Sequence, residues 1–302
     1  MAMHNILWFF YLQRDCFPDS GVAMIADKDT CLSDIIVRAG RSSYRSNPFP
    51  SRAGGVLYSS HSNERRFMAA RDKLVGVIGG MGPGATVDFM SRVMAETPAD
   101  NDQQHVRMLV EHNPRIPSRQ LAMRGEGESP APVIADMAQR LQSYGADFIV
   151  MPCNLAHAWQ ADIEAAISIP FVSIIRESAL SAISRSADDS AVGLMMTPGC
   201  HSSGLYQQAL AAYGRPVVEQ TADELAETMA LVERIKAGDV SGEVADGLCL
   251  LAEQLIVRGA RVLIAACTEL PMVLDESMFE VAFISSTDVL AKKTVVLALG
   301  AA

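Results

Sequence analysis

Two cysteines far apart in the chain stand in matching surroundings. Gly145-Ala146-Asp147-Phe148-Ile149-Val150-Met151-Pro152-Cys153 lies 114 residues before Gly259-Ala260-Arg261-Val262-Leu263-Ile264-Ala265-Ala266-Cys267, with Gly, Ala and Cys identical and the strand positions apolar. Each cysteine ends an apolar run and precedes a polar turn, so each falls at the carboxyl end of a strand, where open α/β sheets bind their ligands. Two thiols that approach one small molecule from opposite sides suit inversion at a carbon. A thiolate takes the α-proton of an amino acid while a thiol opposite returns a proton to the other face, provided that one is ionised and the other is not. A free thiol has a pKa of about 8.5, and a helix N-terminus lowers it. The unpaired amides of a helix start after each cysteine could hold the substrate carboxylate and stabilise charge as the carbanion forms. A single buried cysteine is ordinarily a small core residue, which is the reading for Cys200 and Cys249 taken alone. Repeat symmetry and strand-end spacing set Cys153 and Cys267 apart.

The elements that must hold these thiols are short apolar runs ending in Gly, Pro, Cys or Asn, each followed by an amphipathic stretch. Strands are expected from Leu74, Val106, Asp147, Ala191 and Arg261, and helices over 85–96, 130–144, 157–166, 224–236 and 242–258. That alternation reads as an α/β fold with parallel sheets. A second correspondence, Val75-Gly76-Val77-Ile78 with Val192-Gly193-Leu194-Met195, falls at an offset of 117. Two similar halves of roughly 115 residues follow from these offsets. If they face one another about a pseudo-two-fold axis, the cleft between them receives one thiol from each.

Composition narrows the partners. The 302 residues are 49% hydrophobic and 20% charged, enough apolar material for a large core. A formal charge of -10 disfavours a broad phosphate-binding surface, so no nucleic-acid partner is expected. The six cysteines, 16, 31, 153, 200, 249 and 267, make no CxxC or Cys/His spacing, which signals neither a metal site nor a disulfide framework and fits a cytoplasmic setting. No apolar run approaches the ~18 residues of a spanning helix, so no membrane association is expected.

Residues 1–72 read differently, being dense in Ser, Arg, Pro and Gly from Arg41 to Arg66 and lacking periodicity. They are read as a misassigned start, with Met68 or a neighbour as the true beginning, or else as a disordered arm. Gly80-Met81-Gly82-Pro83-Gly84-Ala85 follows a strand and opens a helix, a literal match to GxGxx[GA]. The acidic residue of a dinucleotide site should come about twenty positions on, whereas Glu111 is 31 beyond Gly80. A tight turn that brings backbone amides to a small ligand is the better reading, and Met81 belongs to it. His157 is read either as lining the site or as a capping or core histidine.

From about Lys73 onward the chain closely resembles the cofactor-independent aspartate/glutamate racemase superfamily, in its aspartate racemase branch. The motifs that carry the likeness are GGMGP at Gly79, HNPRIPSR at His112, MPCNLAH at Met151, IKAG at Ile235 and ACTELP at Ala266. The resemblance implies that Cys153 and Cys267 are the acid/base pair, with Asn154 and Thr268 holding the α-carboxylate and amino groups. It implies that Arg119 and Lys236 receive a side-chain carboxylate and that Glu269 orients or buffers the second thiol. Met81, Leu155 through its amide, and Thr197 complete the expected substrate-binding set. It further implies two Rossmann-like domains, residues 73–172 with 280–302 and residues 173–279, an active site between them, a homodimer, and neither cofactor nor metal.

Three positions depart from the family pattern. Leu155 stands where a threonine is usual, Cys200 where a threonine follows the second half's first strand, and Ser285 where an acid precedes the last helix. The leading reading is racemisation of aspartate or glutamate. The alternatives are a racemase of other or broader range, hydantoin-type substrates included, and a catalytically silent carboxylate-binding protein. The related decarboxylases typically keep one of the two cysteines, so both together argue against them.

Overall fold

In the computed structural model, residues 72–187 and 189–300 are described, and the expectations for residues 1–71 lie outside them. The apolar runs form eight strands: β1 (Val75–Gly79), β2 (Met108–His112), β3 (Phe148–Val150), β4 (Phe171–Val172), β5 (Ala191–Met195), β6 (Val217–Glu219), β7 (Ala260–Ala265) and β8 (Ala282–Ser285). They build two four-stranded sheets, ordered β2-β1-β3-β4 and β6-β5-β7-β8, with every pair parallel. The order is the same in both, and so is the pairing: Val75 lies opposite Phe148 as Val192 lies opposite Val262.

Two glycines carry the repeat down to single atoms. A Cβ on Gly76 would stand 2.5 Å from Ile149 Cδ1 and 3.2 Å from Leu141 Cβ, and one on Gly193 would stand 2.7 Å from Leu263 Cδ2 and 3.3 Å from Leu255 Cβ. In each half the first strand forgoes a side chain so that the next strand and its helix can close on it.

The helices are α1 (Pro83–Glu96), α2 (Arg119–Met123), α3 (Ala131–Ser143), α4 (Gln160–Ala166), α5 (Ile174–Ser184), α6 (Pro198–Ser203), α7 (Leu205–Ala211), α8 (Ala222–Lys236), α9 (Gly242–Val257) and α10 (Ser286–Leu299). An apolar stripe of Ile134, Met137 and Leu141 seats α3 on the outer face of the first sheet. On the second, Leu231, Val232 and Ile235 of α8 pack with Val244, Leu248 and Leu251 of α9. A third core joins the halves, drawing Phe89 and Val93 from α1, Ile174 and Ala182 from α5, and Leu290 and Val295 from α10 together with Val75 and Val192 of the two first strands. The helix expected over 157–166 opens as a 3₁₀ turn, Leu155–Trp159, before α4.

Both first strands turn into a helix with proline at its first positions, Pro83 in α1 and Pro198 in α6. There the missing N–H costs no hydrogen bond and the fixed φ already suits the helix. The expected boundary that gave residues 280–302 to the first half is corrected at its start. Ala282–Ser285 is the edge strand of the second sheet, paired with β7, because a buried strand satisfies its backbone by extending the nearest open edge. The chain leaves that sheet at Ser285, whose Oγ accepts from Asp288 N at 3.1 Å and caps α10. From there α10 packs on α1 and α5. Among the described residues no helix is long and apolar enough to cross a membrane.

Candidate active site

The strand-end turns of both sheets line one cavity of about 410 Å³. The first half contributes Met81 from the glycine-rich turn, Arg119 from α2, and Cys153, Asn154 and Leu155 from the turn after β3. The second contributes Thr197 before α6, Lys236 at the end of α8, and Cys267, Thr268 and Glu269 after β7. The expected catalytic and substrate-binding residues thus border the same space, whereas His157 does not.

Cys153 is 7% exposed and Cys267 9%, so both sulfurs are nearly enclosed yet reach the cavity. Burial raises the Cys153 thiol above its ordinary range, and the Arg119 guanidinium and the Ala156 amide offset only part of that rise. His157 fixes the turn: its Nδ1–H donates to the Cys153 carbonyl at 2.9 Å, and its Nε2 accepts from Ile174 N at 3.1 Å. Those two bonds define the neutral tautomer, and burial holds the imidazole down at a pKa of about 4. His157 is a core residue bracing the turn from behind.

The second thiol has a different neighbourhood. Cys267 Sγ donates to Glu269 Oε2 at 3.0 Å, and Thr268 Oγ1 donates to the same oxygen at 3.3 Å. Burial, then the Glu269 charge, drives the Cys267 thiol well above its ordinary range, against the pull of Lys236. The other carboxylate oxygen, Oε1, has no hydrogen-bond partner among the described residues and lies 3.9 Å from Lys236 Nζ. Lys236 and Glu269 thus border the cavity as an ion pair.

Arg119 is steadied by its own loop, donating from Nη1 to the carbonyls of Ile116 at 3.3 Å and Pro117 at 3.1 Å. Leu155 is buried at the wall, where its Cδ2 would stand 2.8 Å from a Cβ on Gly199. It thus touches the helix start of the other half.

Sequence reasoning missed several lining residues. Met229 and Glu233 lie seven and three positions before Lys236 on α8, a spacing that puts all three on one helix face and was available to find them. Gln120 accepts from Gly199 N at 2.8 Å and ties α2 to α6 across the cleft, a long-range bond with no local signal. Leu121 and Arg124 also line the cavity, with Arg124 paired to Glu126 at 2.8 Å. Cys200 is a core residue whose thiol burial pushes up to about 12, and Ser285 caps a helix; neither lines the cavity.

The glycine-rich turn folds onto its own helix. Gly80 N donates to Thr86 Oγ1 at 2.9 Å, and Thr86 Oγ1 donates to the Gly82 carbonyl at 3.1 Å. Gly80 sits at φ +99°, and its α-carbon abuts the Asn113 backbone, so two separate demands require glycine there. Glu111, the residue tested as a ribose ligand, is ion-paired with Arg140. Among the described residues no three His, Cys, Asp or Glu side chains converge as metal ligands.

The family described as Asp/Glu/hydantoin racemase matches residues 78–294. The broad specificity amino-acid racemase RacX of Bacillus subtilis (strain 168) is 29% identical over 228 residues, which cover 74% of this chain and 96% of that protein. The aspartate racemase structure from Picrophilus torridus superposes with a TM-score of 0.67 at 31% identity, covering 75% of this chain and 94% of that one. A glutamate racemase isoform from Bacillus anthracis shares the fold, with a TM-score of 0.56 at 21% identity over 76% of this chain and 84% of that one.

Proposed function

The chain belongs to the Asp/Glu/hydantoin racemase family, and from that premise we propose that it inverts the α-carbon of an amino acid by passing protons between Cys153 and Cys267. The observation that carries the reading is the pair of repeat-equivalent thiols bordering one cavity with unlike charges beside them. Cys267, with its proton directed at Glu269, rests as the thiol. Burial raises Cys153 as well, but less far, and with Arg119 and a backbone amide favouring its anion it is the thiol proposed to ionise first.

In one direction the Cys153 thiolate takes the α-proton. The Cα–H bond breaks, an S–H bond forms, and the electron pair spreads into the α-carboxylate. Cys267 then delivers its proton to the opposite face and is left as a thiolate, stabilised by the Lys236 charge. The reverse direction exchanges the roles. Both proton transfers are supplied by side chains, so the reading requires neither pyridoxal phosphate nor metal.

Arg119, held by two carbonyls, supplies the charge for a side-chain carboxylate, and aspartate or glutamate is the proposed substrate. Lys236 has Glu269 to neutralise as well, so its share of that contact is the smaller. A broader substrate range is favoured by one feature: Leu121, Leu155 and Met229 give the cavity apolar wall alongside the carboxylate of Glu233. A homodimer in the cytoplasm completes the reading, and light scattering checks the assembly.

The experiment is a racemisation screen of purified protein over the proteinogenic amino acids in D2O, without added cofactor. The expected result is turnover of aspartate or glutamate, with deuterium at Cα of the newly formed enantiomer from the first time point. Well-folded protein that turns over no amino acid overturns the reading.

A further inference from the structure

A buried polar chain runs behind the two thiol turns. Tyr206, on α7, is fully buried, and its hydroxyl donates to Asn154 Oδ1 at 2.6 Å. Asn154 Nδ2 donates to Ser286 Oγ at 3.0 Å, and Ser286 Oγ donates to the Ala265 carbonyl at 2.8 Å. The chain links a residue adjacent to Cys153 with one two positions before Cys267.

Its direction is fixed from its end. A backbone carbonyl only accepts, so Ser286 commits its one proton there and can only accept from Asn154. The Asn154 atom facing Ser286 is therefore the amide nitrogen, and Oδ1 faces the Tyr206 hydroxyl. Burial raises the Tyr206 phenol above its ordinary range, so it keeps the proton it donates. A flipped amide would set Oδ1 against a serine oxygen with no proton left to give. One N–H of Nδ2 remains unassigned, and Asn154 lines the cavity. Asn154 thus meets a ligand through a donor, which matches a carboxylate and not an ammonium.

We infer that Tyr206, with Ser286, is a positioning residue that locks the Asn154 amide so that its free N–H meets the α-carboxylate of the substrate, an inference that rests on the racemase reading above. The α-carboxylate is common to all amino acids, so the contribution is the same whatever side chain the substrate carries.

Tyr206→Phe keeps the ring in the core and removes only the hydroxyl. The expected loss in kcat/KM is about 2- to 12-fold, the range of one neutral hydrogen bond. The factor should be equal for every amino acid the enzyme racemises, and it should vanish when the same change is made in Asn154→Ala, because Tyr206 then has nothing to orient. Ser286→Ala should behave likewise, and it carries the test if Tyr206→Phe fails to fold. A readout free of substrate is the Asn154 side-chain amide in a ¹H–¹⁵N spectrum, with a proton slow to exchange in the wild type and fast in Tyr206→Phe. Unchanged kcat/KM in the folded variants, a factor that varies with the substrate side chain, or an undiminished effect in the Asn154→Ala background would overturn the inference. If no amino acid is turned over, the racemase reading fails by itself. Fast amide exchange in the wild type then overturns the positioning claim, and slow exchange that is lost in Tyr206→Phe supports it.

Discussion

A step of 114 residues from Cys153, Asn154, Leu155 and His157 leads to Cys267, Thr268, Glu269 and Pro271. The scaffold positions of the two halves are interchangeable, as Gly76 with Leu141 and Gly193 with Leu255 illustrate, but the residues around the thiols are not. Leucine follows one thiol where a carboxylate follows the other. The first turn is braced by neutral His157, whereas the second is braced by Arg92, which donates to the Pro271 carbonyl at 2.6 Å and pairs with Asp288. Close packing explains the conserved part of the repeat, since a Cβ at either glycine has no room. The divergent part fits the proposed chemistry. A proton relay across one carbon needs one thiolate and one thiol at the start, and identical surroundings would favour neither arrangement. Because enantiomers are equal in energy, kcat/KM must be the same in both directions, so the inequality of the halves is to be sought in the separate reactivities of the thiols.

The comparison is broken most severely by removing either sulfur. Cys153→Ser and Cys267→Ser should each lower racemisation by roughly 10² to 10⁴-fold, the scale of general acid–base catalysis. Each variant should keep α-proton exchange with one enantiomer, and the two should prefer opposite enantiomers; chiral chromatography with mass analysis in D2O reads both. Cys153→Ser racemising at the wild-type rate would end the two-thiol account.

Next comes the cation beside the first thiol. Arg119→Leu should reduce kcat/KM for aspartate by about 10- to 150-fold, since a charge-assisted contact contributes about 1.5 to 3 kcal/mol. Lys236→Leu should cost less, because that ammonium also serves Glu269. Wild-type kinetics in both variants would reject side-chain carboxylate recognition by these residues.

The brace behind Cys153 should be visible in stability. His157 has a pKa held at about 4 in the fold, against about 6.5 when unfolded, so its neutral form is favoured by folding. The contribution is fully present above pH about 6.5, is reduced by about 1 kcal/mol at pH 5.5, and is lost by about 3 kcal/mol below pH 4. Urea unfolding of wild type and His157→Gln at pH 7.5 and 5.5 should give a smaller pH difference in the variant. Equal differences would mean that His157 is not the residue that titrates.

The smallest effect is expected at the leucine. Leu155→Thr restores a hydroxyl at the cavity wall and should raise kcat/KM for aspartate or glutamate by about 2- to 12-fold, one neutral hydrogen bond. If the natural substrate instead packs an apolar group on Leu155, the same change should lower kcat/KM for that substrate. No change for any amino acid would mean that the side chain does not meet the ligand.

The thiol turns were legible in the sequence because their signal is local: an apolar run, a cysteine and a polar turn, found twice. Strands such as β1 and β7 and helices such as α3 and α9 were legible for the same reason, each having one face toward a core. α5 and α10 were not, since both lie in the core shared by the halves and α10 packs on α1 as well as α5. Packing on several sides leaves little polar stripe to mark a helix. β4 and β6, with two and three residues, are too short for a period to register. Tyr206 and Gln120 act through partners 52 and 79 residues away, which no local pattern encodes.

The inequality of the two thiols is tested most directly by alkylation. Iodoacetamide reacts with thiolates, so the rate of modification at each cysteine, followed by peptide mass mapping from pH 6 to 10, traces the ionisation of each sulfur separately. Both border the cavity. The account predicts that Cys153 is modified with a midpoint at lower pH than Cys267, and that Glu269→Gln, which removes the opposing charge, brings the Cys267 midpoint down toward that of Cys153. Coincident midpoints in the wild type, or Cys267 reacting at the lower pH, would contradict it.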